Sequence, residues 1–203
     1  ERDDELLIAY VGRLAREKGL DVLLREVRMF RASSPTPVRL MLVGDGPYES
    51  RCRAEAPPGT LFTGTLSGHE LAAAFASADL FAFPSLTDTF GNVVLEAMAS
   101  GVPVVAADCP VTRELAGAGA GYFFDAAEPG SLQRLLSRLA KSPDAMQATG
   151  AQGRLQAEQR SWEAVFDRLF GEYLDIIAEH RRADTGSGDE AWIPASAGVV
   201  ALP

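Results

Sequence analysis

At 203 residues, 47 % hydrophobic and 23 % charged, the chain is long enough for one domain with a substantial core and fits neither a disordered nor a low-complexity class. Its 28 acidic side chains against 19 basic ones give a net charge of −9, which excludes a nucleic-acid role resting on general basicity and leaves any anionic ligand to be captured locally. Cys52 and Cys109 lie far apart and suggest no disulfide framework, which suits a reducing cytoplasm, and no apolar run approaches the roughly 18 residues that span a bilayer.

The N-terminal Glu1-Arg-Asp-Asp-Glu5 is not a signal peptide. There is no initiator Met, and a strand begins almost at once, which suggests a piece cut from a longer protein at a domain boundary. Short apolar runs then predict strands at Leu6–Val11, Val38–Val43, Leu61–Thr63, Leu80–Phe83, Val102–Ala106 and Tyr122–Phe124. Between them, helices are predicted at Gly19–Ala32, Tyr48–Ala56, Gly68–Ala76, Gly91–Ser100, Val111–Ala116 and Ser131–Ala140. Such alternation predicts βα units on a parallel sheet, an α/β Rossmann-like fold of about six strands. Ser67-Gly-His-Glu70 has the form of a capping box. Two more helices are predicted near Asp144–Gln159 and Trp162–Arg182, completing a domain of residues 1–182. From Ala183 the composition turns to that of a linker or loose tail, with Ala191–Pro203 expected to be disordered or to dock in trans.

In open parallel sheets ligands bind beyond the carboxyl ends of the strands, and the informative polar residues all follow predicted strands. After the first, Gly12 permits a sharp exit that exposes Arg13, a planar fork for phosphate oxygens, and Lys18, a mobile point charge. Arg16 and Glu17 read as a solvated helix face. Neither a P-loop nor Gly-x-Gly-x-x-Gly is present. Gly44-Asp-Gly-Pro47 and Thr63-Gly-Thr-Leu66 are glycine-bearing exits that can bring backbone against a base or a ribose, and they are equally good plain turns. Gly117-x-Gly-x-Gly121 precedes a strand and reads as a connector. His69 and His180 are isolated from each other and from other ligand types, so the sequence requires no metal and supports no Ser-His-Asp triad.

The stretch Ser85–Ser100 is the richest. It places Asp88 in a strand-to-helix loop and Glu96 eight residues on, with Thr89, Phe90, Gly91 and Asn92 opening the helix. Free N–H groups and the positive dipole end make that start an anion site, and Gly91 is expected to let a ligand approach the backbone. Glu96 is a carboxylate among apolar helix neighbours; it either pairs inside the protein or accepts hydrogen bonds from a vicinal diol such as a ribose. Asp88, by itself, is also a good Asx-turn residue.

As a set, Gly12-Arg13-Leu-Ala-Arg-Glu-Lys18-Gly19, Val43-Gly-Asp-Gly-Pro47, Phe62-Thr-Gly64 and Asp88-Thr-Phe-Gly-Asn-Val-Val-Leu-Glu96-Ala-Met-Ala-Ser-Gly-Val-Pro-Val-Val105 resemble the C-terminal, donor-binding domain of GT-B glycosyltransferases of family 4 over about Leu6–Ala140. The resemblance implies that Arg13 and Lys18 hold the diphosphate of a UDP- or GDP-sugar. Phe90, Gly91 and Asn92 would give the diphosphate backbone N–H groups, Glu96 would bind ribose, and Asp88 would contact the transferred hexose. Gly12 and Leu66 join them in the donor site, and Arg13, Lys18 and Asp88 are the expected catalytic group. It further implies retention of anomeric configuration, no metal, and an acceptor (glycan, lipid or small molecule) held by an N-terminal domain absent from this chain, so that the chain alone is inactive. The expected location is cytoplasmic, with peripheral membrane contact at its inner face open to the full-length protein through that other domain. Asp88 stands where Glu is commoner, and Cys109-Pro110 replaces a frequent Gly-Gly, with Glu114 at the later acidic position. Other readings are a non-catalytic nucleotide-binding or regulatory module of the same fold, or a GT-B nucleotide-sugar epimerase.

Overall fold

The computed structural model, which describes residues 5–184, has six strands: β1 (Leu6–Val11), β2 (Val38–Val43), β3 (Leu61–Gly64), β4 (Leu80–Phe83), β5 (Val104–Ala107) and β6 (Gly121–Phe124). They form one sheet in the order β3-β2-β1-β4-β5-β6, and each neighbouring pair of strands runs parallel. Seven helices belong with them: α1 (Leu20–Ser33), α2 (Glu49–Glu55), α3 (Gly68–Ser77), α4 (Asn92–Ala99), α5 (Pro110–Ala116), α6 (Ser131–Leu139) and α7 (Pro143–Glu158). The expected α/β fold is the observed one, with element ends moved by a residue or two.

Period-two alternation divides the strand side chains between two cores. Ile8 and Tyr10 of β1, Leu80 and Ala82 of β4, and Val105 and Ala107 of β5 pack with the buried leucines of α1 and α6. Their alternates Ala9, Val11, Phe81, Phe83, Val104 and Ala106 pack with Phe75 of α3 and Val94, Ala97 and Met98 of α4. Both sheet faces are therefore dry. That explains why these strands read as continuous apolar runs and why the chain's polar chemistry is confined to strand ends.

One carboxylate lies within the first core layer. Glu26 of α1 is 1 % exposed, and it accepts from the backbone N–H groups of Gly130 (3.0 Å) and Gln133 (3.2 Å) at the start of α6 and from Arg25 Nε. It caps a helix 104 residues away in sequence, satisfying N–H groups that α6 leaves open. The expected capping box at Ser67 does not form through its side chain. The Ser67 carbonyl instead accepts from Glu70 and Leu71. Cys109 caps α5 with Thr112, a structural use of the Cys109-Pro110 start.

The chain divides into two units, Glu1–Gln159 and Arg160–Pro203. The described part of the second is α8 (Trp162–Asp184), one helix in which the Phe166 and Phe170 rings lie 6.5 Å apart, one turn from each other. The expected domain of residues 1–182 thus spans the first unit and most of α8. Of the expected tail at 183–203, Ala183 and Asp184 are helical, and residues 185–203, with the apolar segment Ala191–Pro203, lie outside the described residues. No helix among the described residues is long and apolar enough to cross a membrane.

Candidate functional site

From β1 the chain steps to β2 and β3 on one side of the sheet, and β4 then takes up the other side, so the order reverses between β1 and β4. Loops leaving two strands in opposite directions open a crevice at such a point. The β1–α1 loop and the β4–α4 loop meet there. Gly19, at φ +72°, makes the contact possible: a Cβ at this position would lie 2.4 Å from the carbonyl oxygen of Pro84. Thr87 Oγ1 adds a bond to the Glu17 carbonyl across the same seam.

This contact brings Lys18 to Asp88. Nζ lies 2.6 Å from Oδ1, with each side chain 23 % exposed. The second carboxylate oxygen, Oδ2, is buried and has no hydrogen-bond partner among the described residues. Asp88 thus forms neither an Asx turn nor a fully satisfied structural bridge. Thr89 and Phe90 precede α4, which starts at Asn92 with Gly91 as its N-cap. The Phe90 ring is 76 % exposed.

Gly91 also has a packing role. Gly91 is itself buried, and a Cβ there would come within 2.8 Å of Leu115 Cδ1 on α5. The missing side chain makes room for α5, and its φ of +62° sets the turn into α4. No side chain caps the first turn of α4, and Lys18 is the cation paired to the loop that precedes it.

Glu96 lies in the second turn of α4. It is exposed, not buried as its apolar neighbours suggested. Its carboxylate makes no hydrogen bond among the described residues, so internal pairing is not its role. Partial burial of the carboxylate holds its pKa above the ordinary glutamate range, as desolvation penalises the charged form.

On the other side of β1 a cleft of about 400 Å³ is lined by Val11, Gly12, Arg13, Val43, Gly44, Asp45, Thr65 and Leu66. Arg13, Gly12 and Leu66 therefore line one cleft. Arg13 is exposed and its guanidinium carries no ion pair among the described residues. The Arg13 carbonyl accepts from the Tyr10 hydroxyl at 2.9 Å. Burial, followed by the nearby Asp88 charge, holds the Tyr10 phenol far above its usual value, so it remains a donor. Glu96 and Lys18 do not line this cleft.

Two residues escaped sequence reasoning. Tyr10 looks like an ordinary strand aromatic, and its only signal is a hydroxyl one residue from the strand end. Asp45 sits in the Gly-Asp-Gly-Pro motif, where the glycines drew attention; its Oδ2 accepts from Thr65 Oγ1 at 2.8 Å, tying the β2 and β3 exits together.

The sequence and the fold have counterparts among known proteins. Residues 5–142 match the family model described as glycosyl transferases group 1. A GDP-mannose-dependent alpha-mannosyltransferase of Corynebacterium glutamicum is 34 % identical over 182 residues, covering 87 % of this chain and 41 % of that protein. The sulfoquinovosyl transferase SQD2 of Arabidopsis thaliana is 34 % identical over 171 residues, covering 82 % of this chain and 32 % of that protein. The chain thus spans well under half the length of these relatives. Among solved structures, sucrose-phosphate synthase from Thermosynechococcus elongatus superposes with a TM-score of 0.74 at 25 % identity, covering 87 % of this chain and 46 % of that one. Anabaena HepE, solved in complex with UDP and glucose, gives 0.71 at 23 % identity over 85 % of this chain and 48 % of that one, a likeness of fold.

Proposed function

This chain belongs to the group 1 glycosyltransferases, with the Rossmann-like fold of a GT-B C-terminal domain, and on that premise we propose that it is the donor-binding part of a retaining enzyme that transfers a hexose from a UDP- or GDP-sugar to an acceptor hydroxyl. The observation that carries the reading is the Lys18–Asp88 pair just before the start of α4, at the β1/β4 reversal where ligands bind in open parallel sheets, with Arg13 in the cleft at the exits of β1, β2 and β3. The glycosyltransferase relatives support the donor class.

In this reading the diphosphate lies between Arg13 and Lys18 and against the N–H groups of the first turn of α4, and Gly12 and Leu66 wall the cleft that continues beyond Arg13. Glu96, exposed and free to accept, takes the ribose hydroxyls, and Asp88 takes the hexose. As the bond from the sugar to the diphosphate breaks, negative charge grows on the leaving oxygens. In this reading Arg13, Lys18 and the N-terminus of α4 stabilise that charge, Lys18 passing from Asp88 to the phosphate when the sugar nucleotide binds. The charge is balanced by side chains and helix dipole, and the proposal needs no metal. The acceptor, whether glycan, lipid or small molecule, is held by the part of the protein beyond this chain, as is any contact with a membrane.

The test is calorimetric titration of the 203-residue chain with nucleoside mono- and diphosphates. Diphosphate should bind more tightly, each charge-assisted contact contributing roughly 1.5–3 kcal/mol. Equal affinities would remove Arg13 and Lys18 from the phosphate site. Transfer assays on the full-length parent should show turnover that the 203-residue chain lacks, because the acceptor must be held against the donor. Robust transfer by the chain alone would show that it contains the acceptor site as well.

A further inference from the structure

Lys18 and Asp88 have separate duties toward a donor, yet here they are bonded to each other. The pair is half-shielded, short, and held by loops that are themselves locked together through Gly19 against Pro84 and through Thr87. Lys18 is the one hydrogen-bond partner of the Asp88 side chain among the described residues, and Oδ2 is already a buried oxygen lacking a donor. Arg13, by contrast, has no ion pair to give up before it meets phosphate.

A bare nucleoside diphosphate can recruit Lys18 only by stripping Asp88 of that partner. It offers nothing in exchange: phosphate oxygens accept and cannot donate, and they bring like charge toward an unpaired, partly buried carboxylate. A sugar nucleotide differs in one respect that matters. Its hexose hydroxyls can donate to both Oδ1 and Oδ2, replacing the lost lysine and filling the oxygen that the empty site leaves unsatisfied.

We propose that the Lys18–Asp88 pair is a specificity device that favours the sugar-bearing donor over the bare diphosphate, so that the site loosens its hold on the product once the hexose has left. This rests on the donor-site reading above. Asp88 is then a discriminating residue as well as a contact to the sugar. Loss of the hexose restores the competition between carboxylate and diphosphate for the same ammonium group.

The experiment is titration of the 203-residue chain and its Asp88→Asn, Lys18→Met and doubly substituted variants with UDP, UDP-glucose, GDP and GDP-mannose, folding being checked by circular dichroism. Asp88→Asn should tighten binding of the bare diphosphate by about threefold to tenfold, the range for an ion pair between exposed and buried limits. It should also narrow the preference for the matching sugar nucleotide. In the Lys18→Met background the gain should vanish, because no lysine remains to be released. Asp88→Ser reads the same quantity should Asp88→Asn not fold. A gain that persists undiminished beside Lys18→Met would mean that Asp88 acts only as a general negative field, and an unchanged preference would mean that it does not discriminate; either overturns the proposal while leaving the donor site standing. Failure of the folded parent chain to bind any of the four probes overturns the donor-site reading, and this inference with it.

Discussion

Two carboxylates in this protein, Glu26 and Asp88, are both withdrawn from water and both placed by helices or loops that come from far apart in the chain. Glu26, 1 % exposed, has each oxygen occupied by a backbone N–H, with an arginine beside it. Among the described residues Asp88 has one oxygen on a lysine and one without a partner. The full complement of partners around Glu26 leaves no capacity for a ligand and marks a structural latch between α1 and α6. The incomplete complement around Asp88 leaves a buried oxygen open to a donor, the capacity that the proposed donor site uses. Counting partners, and not burial alone, separates the two regions.

The contrast breaks most visibly at Glu26. Glu26→Ala should destabilise the chain by about 2–4 kcal/mol, as it leaves one buried and one partly buried N–H group without acceptors, and nucleotide affinity should be unchanged in the folded fraction. Urea denaturation followed by circular dichroism reads the first quantity. A loss under about 1 kcal/mol would mean that the α1–α6 seam closes by hydrophobic packing alone.

At the crevice the effects should reverse. Arg13→Ala and Lys18→Met should each weaken diphosphate binding by about 1.5–3 kcal/mol while changing stability by no more than about 1 kcal/mol, the scale of partly exposed ion pairs. If either variant unfolds the chain instead, the crevice carries structural weight that the comparison with Glu26 denies it.

Glu96 sharpens the comparison from a third position, exposed and without a hydrogen-bond partner among the described residues. Glu96→Gln should weaken diphosphate and sugar nucleotide alike, by about 1–3 kcal/mol. Its raised pKa adds a sign. The carboxylate takes up its proton at a higher pH than an ordinary glutamate, so ribose acceptance is complete above the raised value and fades as pH falls through it. The same shift adds to stability at low pH, and that gain is lost as pH rises through the raised value. Affinity measured across the acid range should fall earlier for the parent than for Glu96→Gln; parallel curves would detach Glu96 from the ribose.

The smallest effect belongs to Tyr10. Tyr10→Phe removes one hydroxyl that fixes the Arg13 carbonyl and should cost about 0.5–1.5 kcal/mol of stability. A modest loss of diphosphate affinity should accompany it, because the loop bearing Arg13 is less well held. Unchanged affinity would show that the remainder of the β1 exit positions Arg13 unaided.

Much of this was legible before any tertiary structure was known. The strands at Leu6–Val11, Val38–Val43 and Leu80–Phe83 have the predicted ends, because strands covered on both faces are unbroken apolar runs flanked by polar turns. Their alternation with helices sufficed for a parallel sheet, and the strand exits pointed to Gly12, Arg13, Lys18, Leu66 and Asp88 as residues at one end of it. The exposure of Glu96 was not legible because its six apolar helix neighbours do not by themselves say which side of α4 is covered; the helix buries Val94, Ala97 and Met98 on one side only. The packing role of Gly91 was not legible either, because the side chain it makes room for, Leu115, comes from another element.

What the sequence by itself determined is therefore the set of elements, their order and the loops in which chemistry resides, since periodicity and turn chemistry act over a few residues. The tertiary structure decided which of those residues meet. Lys18 reaches Asp88 across 70 residues because the strand order reverses between β1 and β4, and Glu26 reaches the start of α6 across 104 because α1 and α6 pack on the same face of the sheet. Both pairings depend on strand order and on the side of the sheet each helix takes, long-range choices made when the two cores are buried together, and no local pattern carries them.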